Sequence, residues 1–116
     1  MTNGYCPVQS AMPSCSSCSF YDSIVSIHHC VCNYVPGIAR YFDMGDLGGL
    51  IAPRRLVIVA GRDDPIFPIA GVRKSFGLIQ KFYEAIGRAG EVSLVIGEGR
   101  HRFYAAAAYE ELKRVE

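Results

Sequence analysis

Arg55-Leu56-Val57-Ile58-Val59-Ala60, followed by Gly61-Arg62-Asp63-Asp64-Pro65-Ile66-Phe67-Pro68, is the stretch on which the fold turns. Leu56 to Ala60 run without polar alternation and include three β-branched residues. A strand with one wet face alternates. A short, continuous apolar run suits a strand covered on both faces, as in a parallel sheet. Downstream, Val72, Phe76, Ile79, Phe82, Tyr83 and Ile86 recur at steps of three and four, which predicts a helix over roughly 70–88 with one apolar stripe. Gly87 and Gly90 are its expected stop. Val92-Ser93-Leu94-Val95-Ile96 then repeats the buried-strand pattern and ends in Gly97-Glu98-Gly99. A last helix is expected from about Phe103 to the end, with Tyr104, Ala107, Ala108 and Leu112 inward. Strand, helix, strand, helix at a spacing of about 30 residues makes a right-handed βαβ unit.

Working back from residue 53, the chain is less regular and dense in Ser, Cys, Gly and Pro. A short strand is expected over Val8–Met12, ended by Pro13. A helical turn is expected over Asp22–His28 with Asp22 as its cap, and a short helix over Asp43–Ile51 capped by Asp43 or Asp46. The 116 residues are thus expected to form one α/β domain: 1–52 irregular with an edge strand and short helices, and 53–116 the strand–helix–strand–helix unit.

Composition narrows the function. Half the residues are hydrophobic, a fifth are charged and the net charge is +1, which is globular and not disordered. The twelve Lys and Arg form no stripe, so nucleic acid is not an expected partner. No apolar run approaches the ~20 residues of a membrane helix. Met1-Thr2-Asn3-Gly4-Tyr5-Cys6-Pro7 lacks the basic and apolar regions of a signal peptide, so a cytoplasmic location is expected.

In open parallel sheets ligands sit beyond the carboxyl ends of the strands. Two loops occupy that position here. Gly61–Pro68 brings a carboxylate, Asp64 or its neighbour Asp63, and Gly97–Phe103 brings His101. Pro65 and Pro68 stiffen the first loop. An acid that orients an imidazole, with a histidine that moves a proton, is the acid–base part of an acyl-transfer triad, and the order acid-then-His is that of α/β-hydrolases. Spacing alone also allows a turn-forming Asp-Pro and a solvated histidine.

Further stretches tie these pieces together: His29-Cys30-Val31-Cys32-Asn33-Tyr34-Val35-Pro36-Gly37-Ile38, Tyr41-Phe42-Asp43-Met44-Gly45-Asp46-Leu47, Ile51-Ala52-Pro53-Arg54, and Gly99-Arg100-His101-Arg102-Phe103-Tyr104. With Gly61–Pro68, in this order, they resemble the C-terminal region of α/β-hydrolases of the acetyl xylan esterase and dienelactone hydrolase-like kind, over about Met12 to Glu116. The resemblance implies that Asp64 is the triad acid and His101 the triad histidine of a serine-esterase-like hydrolase, with no cofactor. It also implies a truncated sheet of two or three parallel strands with flanking helices. No G-x-S-x-G occurs in the 116 residues. Ser14, Ser16, Ser17, Ser19 and Ser23 lie on no glycine-flanked elbow and are expected in turns and caps. The expectation is therefore a hydrolase-derived chain, inactive alone and completed by a second copy, as a homodimer, or by a complementing chain that carries the nucleophile. An open sheet edge favours such pairing. A small self-associating protein without catalysis is the alternative.

A second alternative is metal. Cys15-x-x-Cys18 with Cys30-x-Cys32, near His28 and His29, offers thiolates of the kind zinc takes. The second half has C-x-C spacing, and buried free thiols are the preferred reading.

Overall fold

A computed structural model of the chain describes residues 8–114. The N-terminal heptapeptide read for a signal peptide lies outside them, as do the last two residues of the expected final helix. Three strands, β1 (Ser10–Ala11), β2 (Arg55–Gly61) and β3 (Val92–Gly97), form one parallel sheet in the order β1-β2-β3. Ser10 pairs with Arg55, and the second ladder runs from Leu56–Val92 to Gly61–Gly97. The helices are α1 (Met44–Gly49), α2 (Ile69–Ala85) and α3 (Ala105–Lys113).

β2 is central, and six of its seven residues are buried. Its alternation sorts two cores. Leu56, Ile58 and Ala60 face Cys18, Phe67, Val72, Ile79 and Tyr83, while Val57 and Val59 face Ala108, with Tyr104 and Leu112 packed beside it. Burial of each Leu, Ile or Val contributes about 1.5–3 kcal/mol, so the uninterrupted apolar run is what secures the sheet. Tyr83, fully buried, donates its hydroxyl to the Arg54 carbonyl at 2.6 Å and pins α2 to the start of β2. On the other face, Arg55 reaches Glu111 of α3 at 3.1 Å.

Several local expectations shift. The first strand, Ser10–Ala11, is shorter than expected and stops before Pro13, and an isolated bridge, Ser14 to Val59, continues its alignment beyond the proline. The Pro13 carbonyl accepts from Val59 N–H at 3.0 Å and Cys15 N–H donates back to Val59 at 2.8 Å, because a proline loses a donor but keeps its acceptor. The helical turn is a π-type turn, Phe20–Val25, whose cap is Ser19: its hydroxyl accepts from Asp22 N–H at 3.0 Å. Asp43 and Asp46 share one cap, a reciprocal capping box on α1. Gly87, at φ +69°, ends α2, while Gly90 falls in a separate 3₁₀ turn, Ala89–Glu91. Ala107 points to solvent, and Phe82 and Ile86 are half exposed at the end of the α2 stripe. Among the described residues no helix is long and apolar enough to cross a membrane.

Candidate active site

The parallel register carries both loops to one end of the sheet and then continues past the strands. Arg62 N–H donates to Gly97 O and Asp63 N–H to Gly99 O, both at 2.9 Å. Gly61 makes this possible. A Cβ there would run into the Gly99 and Arg100 carbonyls, so the histidine loop crosses directly over it.

Asp64 sits in the turn that follows. Its Oδ1 accepts from Ile66 N–H at 2.8 Å and Phe67 N–H at 3.1 Å, which aims Oδ2 at His101 Nδ1, 2.8 Å away. The Asp64 side chain is 1% exposed and that of His101 43%. The acid is therefore buried and the imidazole reaches solvent. Burial pushes the Asp64 carboxyl up, but the two backbone N–H groups and His101 outweigh it and hold it below its ordinary value. An ionised Asp64 accepts the Nδ1 proton and leaves the Nε2 lone pair outward, the tautomer a general base requires. Asp63 lies exposed in the turn after β2 and contributes only its backbone N–H. Of the two acids, Asp64 is the one brought to His101.

Phe67 gives no signal in the sequence, yet it backs the pair. Its ring lies 5.9 Å from the His101 ring at 18°, and His29 meets it edge-on at 5.4 Å and 74°. Behind it, Ser23 Oγ lies 2.9 Å from His29 Nε2 and donates to the Ile66 carbonyl at 2.6 Å. This buried pair fastens the upstream half of the chain to the loop of Asp64. Ser19 caps its turn, and none of the five serines hydrogen-bonds His101.

The four cysteines of the metal alternative do not assemble, and the preferred reading of buried free thiols holds for Cys15 and Cys18 but is corrected for Cys30 and Cys32, which are exposed. Cys18 is fully buried, with its thiol toward the Pro68 carbonyl at 3.8 Å, and Cys30 and Cys32 lie exposed around a 3₁₀ turn. Cys15 instead joins the acid and histidine. Its Sγ, a carboxylate oxygen of Asp64 and a ring nitrogen of His101 all lie within 4.8 Å of one another. Cys15 is held at φ +47° and its thiol donates to the Arg102 carbonyl at 3.2 Å. No spacing rule finds this cluster, because its members follow three different strands.

Cys15 does not occupy a nucleophile's place. In a triad the nucleophile bonds Nε2 while the acid bonds Nδ1, so two hydrogen bonds and the ring separate nucleophile from acid by about 6–7 Å. A sulfur within 4.8 Å of the carboxylate lies beside the dyad and not beyond it. Comparison with protein-family models, curated proteins and solved structures finds no match for this chain.

Proposed function

We propose that the chain carries the acid and general-base part of an ester-hydrolase-type site, with Asp64 orienting His101 and the nucleophile coming from outside these 116 residues. The observation that supports this most is the 2.8 Å Asp64–His101 bond at the carboxyl ends of adjacent parallel strands, with a buried acid and an open imidazole. The order acid-then-histidine and the resemblance to esterases of the α/β-hydrolase superfamily point the same way. Alone, the dyad can act only as a general base on water, without covalent acyl transfer.

Pairing belongs to the same reading: a second copy would cover the open sheet edge, and a complementing chain would in addition bring the nucleophile. β1 is two residues long and lies at the sheet edge, and Val31, Tyr41, Leu50 and Tyr21 present large apolar side chains that are more than two-thirds exposed. Sedimentation at micromolar concentration should show self-association or capture of the complementing chain.

The chemistry is tested with a fluorophosphonate probe and p-nitrophenyl acetate. The isolated chain should remain unlabelled and release p-nitrophenol without a burst. A complementing chain that carries G-x-S-x-G should be labelled only when this chain is present, and His101→Ala should abolish that labelling. A burst from the isolated chain, or labelling indifferent to His101, overturns the proposal.

A further inference from the structure

We infer that Cys15, Asp64 and His101 form a binding site for a zinc-type divalent cation, open to solvent on the histidine side. The inference does not rest on the hydrolase reading.

Three donors of different kinds, a thiol, a carboxylate and an imidazole, converge from the segments that follow three neighbouring strands. Mixed sulfur, nitrogen and oxygen sets of this kind suit zinc, which takes three protein ligands and a water in its open sites. Cys15 and Asp64 are buried, at 5% and 6% exposure, and only His101 reaches solvent. The fourth position thus falls to a water.

Distances agree with this. Tetrahedral zinc with bonds of about 2.0–2.3 Å sets its donors about 3.3–3.6 Å apart. The present Asp64–His101 separation is 2.8 Å, and the thiol lies within 4.8 Å of both partners. The acid–imidazole pair must open by about half an ångström and the thiol close by little more than about one. Supports for this geometry are already in place. Cys15 N–H is fixed to Val59, the second Asp64 oxygen is held by two N–H groups, and Phe67 backs the imidazole.

The proton balance is simple. The thiol proton leaves to solvent as sulfur binds the cation. The Nδ1 proton moves to Nε2, which frees Nδ1 to ligate beside the carboxylate. The cation then replaces the proton between Asp64 and His101, so metal occupancy and the hydrogen-bonded dyad exclude one another.

The test titrates the reduced, full-length chain with Co²⁺ alone. One equivalent should give the visible bands of a tetrahedral site and a near-ultraviolet sulfur-to-cobalt charge-transfer band, both displaced by Zn²⁺. Cys15→Ser should lose the charge-transfer band, and His101→Ala should weaken binding at least about tenfold. The double variant Cys30→Ser/Cys32→Ser should keep both features. Absence of saturable binding, or a spectrum that follows Cys30 and Cys32 instead of Cys15, overturns the inference. Should Cys15→Ser fail to fold, alkylation of the native chain decides: Zn²⁺ must protect Cys15 from iodoacetamide over the hours that label it without metal, and an unprotected Cys15 refutes the site. Either negative result leaves the esterase test untouched, provided that test is run in the presence of chelator.

Discussion

Phe67 holds the His101 imidazole from two directions. Its backbone N–H donates to the Asp64 carboxylate that binds Nδ1, and its ring lies nearly parallel to the imidazole at 18°. The same ring belongs to the main core, packed with Cys18, Ile58, Ala60 and Val72. Histidine orientation and core packing are thus coupled through one residue.

Phe67→Ala should therefore cost about 3 kcal/mol or more, as expected for an emptied aromatic site. Denaturant unfolding measures the loss, and the His101 ring resonances should broaden in the native variant. A cost under about 1 kcal/mol, with His101 unchanged, would show that the ring is incidental.

Asp64 sets an acid limit on stability. Its carboxyl is held below the ordinary value, against burial, by the Ile66 and Phe67 N–H groups and His101. A depressed folded pKa stabilises above the unfolded pKa of about 3.9, and that contribution disappears as pH falls through the folded value. In chelator, the wild-type chain should lose stability steeply below about pH 4, and Asp64→Asn should be weaker at neutral pH with a flatter acid slope. Parallel slopes would remove Asp64 as the cause.

Two glycines should respond oppositely to alanine. Gly61→Ala forces a Cβ against the Gly99 and Arg100 carbonyls and should cost about 1–3 kcal/mol while lifting the His101 loop. Gly77, inside α2, has open space where its Cβ would stand, so Gly77→Ala should add about 0.5–1 kcal/mol through helix propensity. Thermal melts of the two variants should bracket the wild type.

The thiols should alkylate in order of exposure. Cys30 and Cys32 are exposed and should react within minutes, whereas burial pushes the Cys18 thiol up and keeps it protonated as well as hidden. Peptide mass mapping after timed iodoacetamide should find Cys18 unmodified until the chain is unfolded. Early labelling of Cys18 would mean that the packing against Pro68 and α2 opens readily.

The regular half was legible because periodicity is a local property. Leu56–Ala60 and Val92–Ile96 match the strands to within a residue, the α2 stripe matches its helix to within three, and the parallel strand pairing follows from their spacing. Upstream, elements a few residues long carry no period. There the cap fell on Ser19 instead of Asp22, and the alignment of the first strand continued past Pro13. Among the candidate residues, Asp64 and His101 were visible because each follows a strand within its own loop. Cys15 was singled out only with Cys18, Cys30 and Cys32, and Phe67 not at all, since nothing near either residue in the chain marks its true partners.

Sequence alone determined that a parallel βαβ unit forms and that an aspartate and a histidine leave its strands at the same end. Burial patterns and chain order depend on short-range spacing, and spacing is written in the sequence. Only the tertiary structure decided between Asp63 and Asp64, broke up the four-cysteine set, and placed Cys15 within 4.8 Å of the acid and the imidazole. Those outcomes depend on how three loops pack over Gly61 and around Phe67. Such long-range contacts are set by the register of the whole sheet and not by any one segment.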